Sequence, residues 1–167
     1  LQESNQPAGP KGVRSLILTP TRELAVQISE SLDVYGRYMN LKQTVVYGGV
    51  RQEKQVKVLR RGVDILVATP GRLLDLYNQK CFHLDKVEIF VLDEADRMLD
   101  MGFLPDVKKI HSKISKNSQA MLFSATMPKE IQHLTQSFLK NPVKIEVAPP
   151  STTVEKIDQR VLFVDRE

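Results

Sequence analysis

Six short apolar runs punctuate this chain, most of them ending abruptly at a turn-forming or charged residue: SLILT (15–19), QTVVY (43–47), DILVA (64–68), VEIFVL (87–92), AMLF (120–123) and VKIEV (143–147). They are β-branched or aromatic-rich and continuous rather than alternating, the pattern of strands buried on both faces of a parallel sheet. The segments between them carry helical spacing. Leu24, Ile28, Leu32 and Tyr35 recur at i, i+4, i+8 and i+11, and Ile131, Leu134, Phe138 and Leu139 at i, i+3, i+7 and i+8. Strand and helix in alternation predict an open, mostly parallel α/β sheet flanked by helices. Ligands of such sheets gather beyond the carboxyl ends of the strands, so chemistry is expected where the apolar runs stop.

Composition narrows the class without choosing a function. With 167 residues, 41% hydrophobic and 26% charged, the chain is one ordinary globular domain. No apolar run reaches membrane-span length, and Cys81 is alone, which excludes a disulfide framework and points to a reducing, intracellular (cytoplasmic) setting. A formal charge of +4 is compatible with an anionic partner. Residues 1–12 read as a polar, Pro- and Gly-rich linker, and Ala148-Pro-Pro-Ser-Thr-Thr153 as another, leading to a strand pattern at 157–164. His83, His111 and His133 have no ligand spacing and are expected to be ordinary surface or packing residues.

One phrase recurs where runs end. Thr19-Pro20-Thr21-Arg22 and Thr69-Pro70-Gly71-Arg72 each follow a strand pattern and precede a helical one. Thr is expected to cap and Pro to open the helix, leaving first-turn amides at the strand end beside an arginine fork. Such a turn binds phosphate. One copy alone is capping grammar; two copies point to a shared phosphate-facing edge. Ser124-Ala-Thr126-Met-Pro128 is a third version, opening the last helix. Gly48 and Gly49 by themselves mark a turn, but beside two anion-ready turns they admit close approach of a polymer backbone. Arg51, Lys54, Lys57 and Arg61 follow as a solvated basic stripe on the next helix.

Phe90-Val-Leu-Asp-Glu-Ala-Asp96 poses the sharpest question, since three carboxylates close an oily run. Crowded acids need a compensating cation, and Mg²⁺ is the natural one. Asp93 is the candidate metal residue, holding Mg²⁺ through water. Glu94 is the candidate for activating the attacking water. Asp96 is placed to reach the hydroxyls of Ser124 or Thr126.

PTRELA (20–25), Gly48-Gly49, TPGR (69–72), DEAD (93–96) and SAT (124–126), in this order, resemble the first RecA-like domain of DEAD-box ATP-dependent RNA helicases over nearly the whole chain. The resemblance implies ATP and Mg²⁺ as cofactors, with Asp93 and Glu94 at the nucleotide. It also implies that Asp96, Ser124 and Thr126 link nucleotide state to strand separation. Pro20, Thr21, Arg22, Gly48, Gly49, Thr69, Pro70, Gly71 and Arg72 would contact the RNA sugar-phosphate backbone, which carries no base-specific readout. Asp96, where a related group has His, resembles the RNA-directed branch. The family's phosphate loop, G-x-x-x-x-G-K-[ST], and its upstream Gln motif do not occur in these residues. The expectation is therefore a partial RecA-like domain at 13–148, lacking the N-terminal strand and phosphate-loop helix. Residues 149–167 would lead to a missing second RecA-like domain. Such a piece would be inactive alone within a helicase parent, or would serve as an RNA-binding module with no ATPase of its own.

Overall fold

The computed structural model describes residues 7–147 of the chain. Its strands are β1 (Val13–Leu18), β2 (Gln43–Val46), β3 (Val63–Ala68), β4 (Ile89–Leu92) and β5 (Gln119–Leu122). They form one sheet of spatial order β2-β3-β1-β4-β5 in which every pairing is parallel. The helices are α1 (Arg22–Tyr35), α2 (Glu53–Leu59), α3 (Pro70–Asn78), α4 (Ala95–Asp100), α5 (Leu104–His111) and α6 (Lys129–Phe138).

The register puts all five strand ends in one transverse row. Val46 lies opposite Ala68, Ala68 opposite Leu18, Leu18 opposite Leu92, and Leu92 opposite Leu122. The ladder continues one step further through Thr69 N to Val46 O (3.0 Å), Thr19 N to Ala68 O (3.0 Å), Asp93 N to Leu18 O (3.0 Å) and Phe123 N to Leu92 O (2.8 Å). Every motif singled out in the sequence thus begins immediately past the same line.

Alternation along the strands divides the core. Leu16, Leu18, Leu66, Ala68, Phe90 and Leu92 face one layer, where α3, α4, α5 and α6 contribute Leu73, Leu76, Met98, Val107, Ile110, Leu134 and Phe138. The other face packs Ile17, Val45, Ile65 and Val67 against Ala25, Ile28 and Leu32 of α1. On that second face Ile89, Val91 and Met121 of β4 and β5 are only half-buried. The end of the predicted α1 stripe is not core: Tyr35 is 80% exposed. His111 stacks on Phe138 at 3.8 Å and serves in packing, as expected.

The expected strand at 143–147 is not one. Val143, Ile145 and Val147 are 87%, 86% and 86% exposed and outside the sheet. A β-branched run becomes a strand only beside a ladder partner, and no strand among the described residues pairs with it. The linker and strand pattern expected beyond Val147 lie outside the described residues.

At the amino ends of the strands, Arg14 is buried against Asp64 (Nη1 to Oδ1, 3.3 Å) and reaches Glu88 (Nε to Oε1, 2.9 Å). Burial pushes the Asp64 carboxyl up, but the amides of Lys42 (2.9 Å) and Ala8 (3.3 Å) together with Arg14 outweigh it and hold the group below its usual range. A depressed carboxyl stabilises the fold above its unfolded pKa and loses that contribution as pH falls through the folded value. His111, whose burial lowers its pKa, weakens the fold as pH drops below the ordinary histidine value of about 6.5. Urea unfolding of Asp64→Ala is expected to show a loss of about 3 kcal/mol, because a buried guanidinium and two amides lose a partner. His111→Phe is expected to remove the stability loss between neutral and mildly acidic pH, and an unchanged pH profile would contradict this.

Candidate functional site

The carboxyl rim of the sheet collects the DEAD segment, the SAT segment, the two Thr-Pro turns and the Gly48-Gly49 loop. In the first turn the helix cap is Thr21 rather than Thr19: Thr21 Oγ1 accepts from Leu24 N (3.2 Å), and α1 begins at Arg22. Pro20 therefore precedes the helix. Thr19 instead donates its hydroxyl to Thr21 O (3.1 Å), closing a tight bend that its buried position favours. In the second turn Thr69 is the N-cap and Pro70 the first helical residue, as the sequence predicts, although Thr69 makes no side-chain cap bond. Ser124-Ala-Thr126 lies ahead of α6 rather than in its first turn, since the cap there is Pro128.

Glycines at this rim separate intramolecular from external demands. Gly49 has φ +78, a conformation that L side chains avoid. Gly48 and Gly71 have no such backbone need, and a Cβ added at either would meet nothing within 4 Å. Nothing inside the chain excludes a side chain there. Among the described residues, the amides of Gly48, Gly49 and Val50 have no hydrogen-bond acceptor.

The arginines of the two turns behave differently. Arg22 is exposed and lies over the Tyr47 ring, 4.9 Å from its centroid. Arg72 is largely buried, with 16% of its side chain exposed, and both terminal nitrogens donate to Val50 O at 3.1 Å. Its Nε is 3.8 Å from Asp75. Arg51, Lys54, Lys57 and Arg61 are exposed, but α2 holds only Lys54 and Lys57 of the expected stripe. Sequence reasoning missed Gln55 and Tyr47: Gln55 is 9% exposed and donates Nε2 to Tyr47 O at 3.2 Å. The available signal was the i, i+4 pair Gln55–Leu59, which marks the inner face of α2 beneath the basic residues.

The three acids have three fates. Asp96 is a structural acceptor. Its Oδ2 receives Thr126 N (2.8 Å) and Thr126 Oγ1 (2.9 Å), its Oδ1 receives Arg97 N (3.0 Å), and its own amide donates to Ser124 Oγ (3.1 Å). Burial tends to raise its pKa, but these donors prevail and lower it. The set ties the end of β4 to the end of β5. Glu94 takes left-handed backbone angles (φ 51, ψ 53), a strained choice for a residue with a side chain. Its carboxylate is 3.3 Å from Arg97 in an exposed pair that contributes at most about 1 kcal/mol and yields readily to another partner.

Asp93 is half-buried and has no ion pair among the described residues. Its pKa is raised, first by burial and also by the charge of Glu94, against one hydrogen bond from Glu94 N (3.0 Å). No group of three His, Cys, Asp or Glu side chains suited to a metal occurs among the described residues. Asp93 nonetheless fits Mg²⁺. That ion needs one or two protein carboxylates and draws its other ligands from water and phosphate, and Asp93 is a carboxylate without a compensating cation.

Comparison with known proteins agrees with this geometry. The family model described as DEAD/DEAH box helicase matches residues 2–134. The chain belongs to this family. It is 45% identical over 93% of its length to the DEAD-box ATP-dependent RNA helicase CshA of Streptococcus pneumoniae. It is 41% identical over 92% to the DEAD-box ATP-dependent RNA helicase RhpA of Helicobacter pylori. The aligned part spans 30% and 31% of those relatives. A DEAD box protein from the hyperthermophile Methanococcus jannaschii superposes with a TM-score of 0.75 at 42% identity, covering 82% of this chain and 36% of that one. A hypothetical ATP-dependent RNA helicase from Sulfolobus tokodaii gives 0.72 at 44% identity, covering 77% and 39%. The fold is thus the RecA-like sheet of DEAD-box helicases, present in part. No helix among the described residues is long and apolar enough to cross a membrane.

The different fates of the acids predict opposite mutational effects. Asp96→Ala is expected to cost about 1–3 kcal/mol in equilibrium unfolding, because Thr126 and Arg97 amides lose their acceptor. Asp93→Asn is expected to unfold at no lower temperature than wild type, since it removes a desolvated charge that one hydrogen bond does not offset. A fall of several degrees for Asp93→Asn would show that its carboxylate is a structural partner rather than a site kept for a ligand.

Proposed function

We propose that this chain is part of an ATP-dependent RNA helicase, coupling Mg²⁺–ATP binding and hydrolysis to RNA binding and local duplex unwinding. The observation that carries the reading is the common row of strand ends, from which Asp93, a carboxylate with no ion pair among the described residues, and two bare-backbone turns project along one rim. The RNA-facing set is Pro20, Thr21, Arg22, Gly48, Gly49 and the 69–72 turn. Free amides and a cationic neighbour suit a phosphate backbone and read no bases.

At the other end of the rim Asp93 would hold Mg²⁺ through water. When bound, Mg²⁺–ATP supplies a polarised terminal phosphoryl group for attack by water. Glu94, on a left-handed backbone and paired only with the exposed Arg97, would orient that water and accept its proton. Asp96, Ser124 and Thr126 carry any shift of the acidic tip into the neighbouring strand end, which gives nucleotide state a route to the RNA-bound conformation. The remaining nucleotide contacts, and the other half of the RNA cleft, fall to a phosphate loop and a second RecA-like domain of the parent protein. A cytoplasmic setting accords with the lone, buried thiol of Cys81.

A second reading, an RNA-binding module with no ATPase of its own, is supported by the exposed Arg22 and the open backbone at Gly48, Gly49 and Gly71, none of which requires a nucleotide. ATPase assays on the full-length protein separate the two. The helicase reading expects turnover stimulated by RNA and lowered by about 10²–10⁴-fold in Glu94→Gln, with RNA binding retained. Salt-dependent RNA binding indifferent to ATP, with no RNA-stimulated turnover, would overturn it in favour of the module.

A further inference from the structure

The Gly48-Gly49 loop is held at both ends. Before it, Tyr47 O accepts from Gln55 Nε2 at 3.2 Å, and the Tyr47 ring lies under Arg22. After it, Val50 O accepts from both terminal nitrogens of Arg72 at 3.1 Å. Between the two held carbonyls lie only the glycines, whose amides face no acceptor among the described residues. Two adjacent glycines left to themselves would sample many backbone states, and ordering them on binding would oppose association.

An arginine that contacts phosphate directly needs its fork available. The fork of Arg72 is instead committed to a carbonyl 22 residues away in sequence, on a side chain that is mostly buried, while Arg22 remains exposed. We infer that Arg72 is a positioning residue: together with Gln55 it clamps the loop between Tyr47 and Val50 so that the Gly48 and Gly49 amides are presented to a phosphate of bound RNA, without itself neutralising one. This deepens the RNA-binding reading and rests on it.

The salt dependence of RNA affinity distinguishes a clamp from a ligand. Loss of a charge that neutralises a phosphate makes log K against log salt shallower by about 0.7 for single-stranded RNA. Loss of a clamp lowers affinity at every salt concentration without changing that slope. The measurement is fluorescence anisotropy of labelled oligouridylate with the full-length protein and a non-hydrolysable ATP analogue, across a salt series. Arg72→Ala is expected to weaken binding about tenfold at unchanged slope. Gln55→Ala, which removes an uncharged clamp, is expected to show the same signature. A shallower slope for Arg72→Ala, or full affinity, would overturn the proposal. Should Arg72→Ala fail to fold, Gln55→Ala carries the test: it removes a buried clamp that offers no charge to phosphate, so weakened binding supports the clamp and unchanged affinity overturns it. Wild-type protein that binds no oligouridylate at any salt would instead refute the RNA reading itself.

Discussion

Parallel hydrogen bonding in a single register is the constraint from which the rest of the molecule follows. Because Val46, Ala68, Leu18, Leu92 and Leu122 lie in one row, five segments far apart in sequence leave the sheet side by side and in the same direction. Parallel pairing requires a crossover between neighbouring strands, so each strand end is followed at once by a turn and then a helix. Those turns must satisfy their own backbone groups or present them outward. Some do the first, through Thr21 and the Thr19 hydroxyl, and others the second, through Gly48, Gly49 and Gly71.

The acidic tip shows how the same rim accommodates charge. Three carboxylates in four residues would destabilise a strand end if all were equally exposed to one another. Asp96 is held as a carboxylate by hydrogen bonds and becomes a tie between β4 and β5. Glu94 takes a left-handed backbone and rests on Arg97 at the surface. Asp93 alone keeps an unfavourable environment, with burial and Glu94 raising its pKa. It has no ion pair among the described residues, and a hydrogen bond from the Glu94 amide opposes the shift without offsetting it. At the opposite end of the strands, Asp64 shows the contrast: it is more deeply buried, yet supplied with donors by Arg14, Lys42 and Ala8.

Much of this was legible in the residues. Continuous apolar runs located the five strands to within about two residues, because a strand buried on both faces has no alternation to obscure. The gathering of the motifs at one rim followed from the sheet class, and the Asp96 link to the SAT segment from spacing. What escaped the sequence was tertiary. Thr19 and Thr21 are both competent caps, and only the bend geometry chooses between them. The fork of Arg72 rests on Val50 O, a bond across 22 residues that no local pattern announces. Gln55 looks like one polar residue among charged ones until its burial is known. The run 143–147 has every intrinsic mark of a strand and lacks a neighbour to pair with. In each case the deciding partner lies elsewhere in the fold.

The claim that one rim of the sheet receives both ligands is tested most directly by amide hydrogen exchange on the full-length protein, with and without oligouridylate and a non-hydrolysable ATP analogue. The account predicts added protection at residues 20–22, 48–50 and 69–72 with RNA, and at 93–96 with nucleotide, while the amino ends of the strands around Lys11 and Lys42 remain unchanged. Protection appearing at those amino ends and absent from the rim would contradict it.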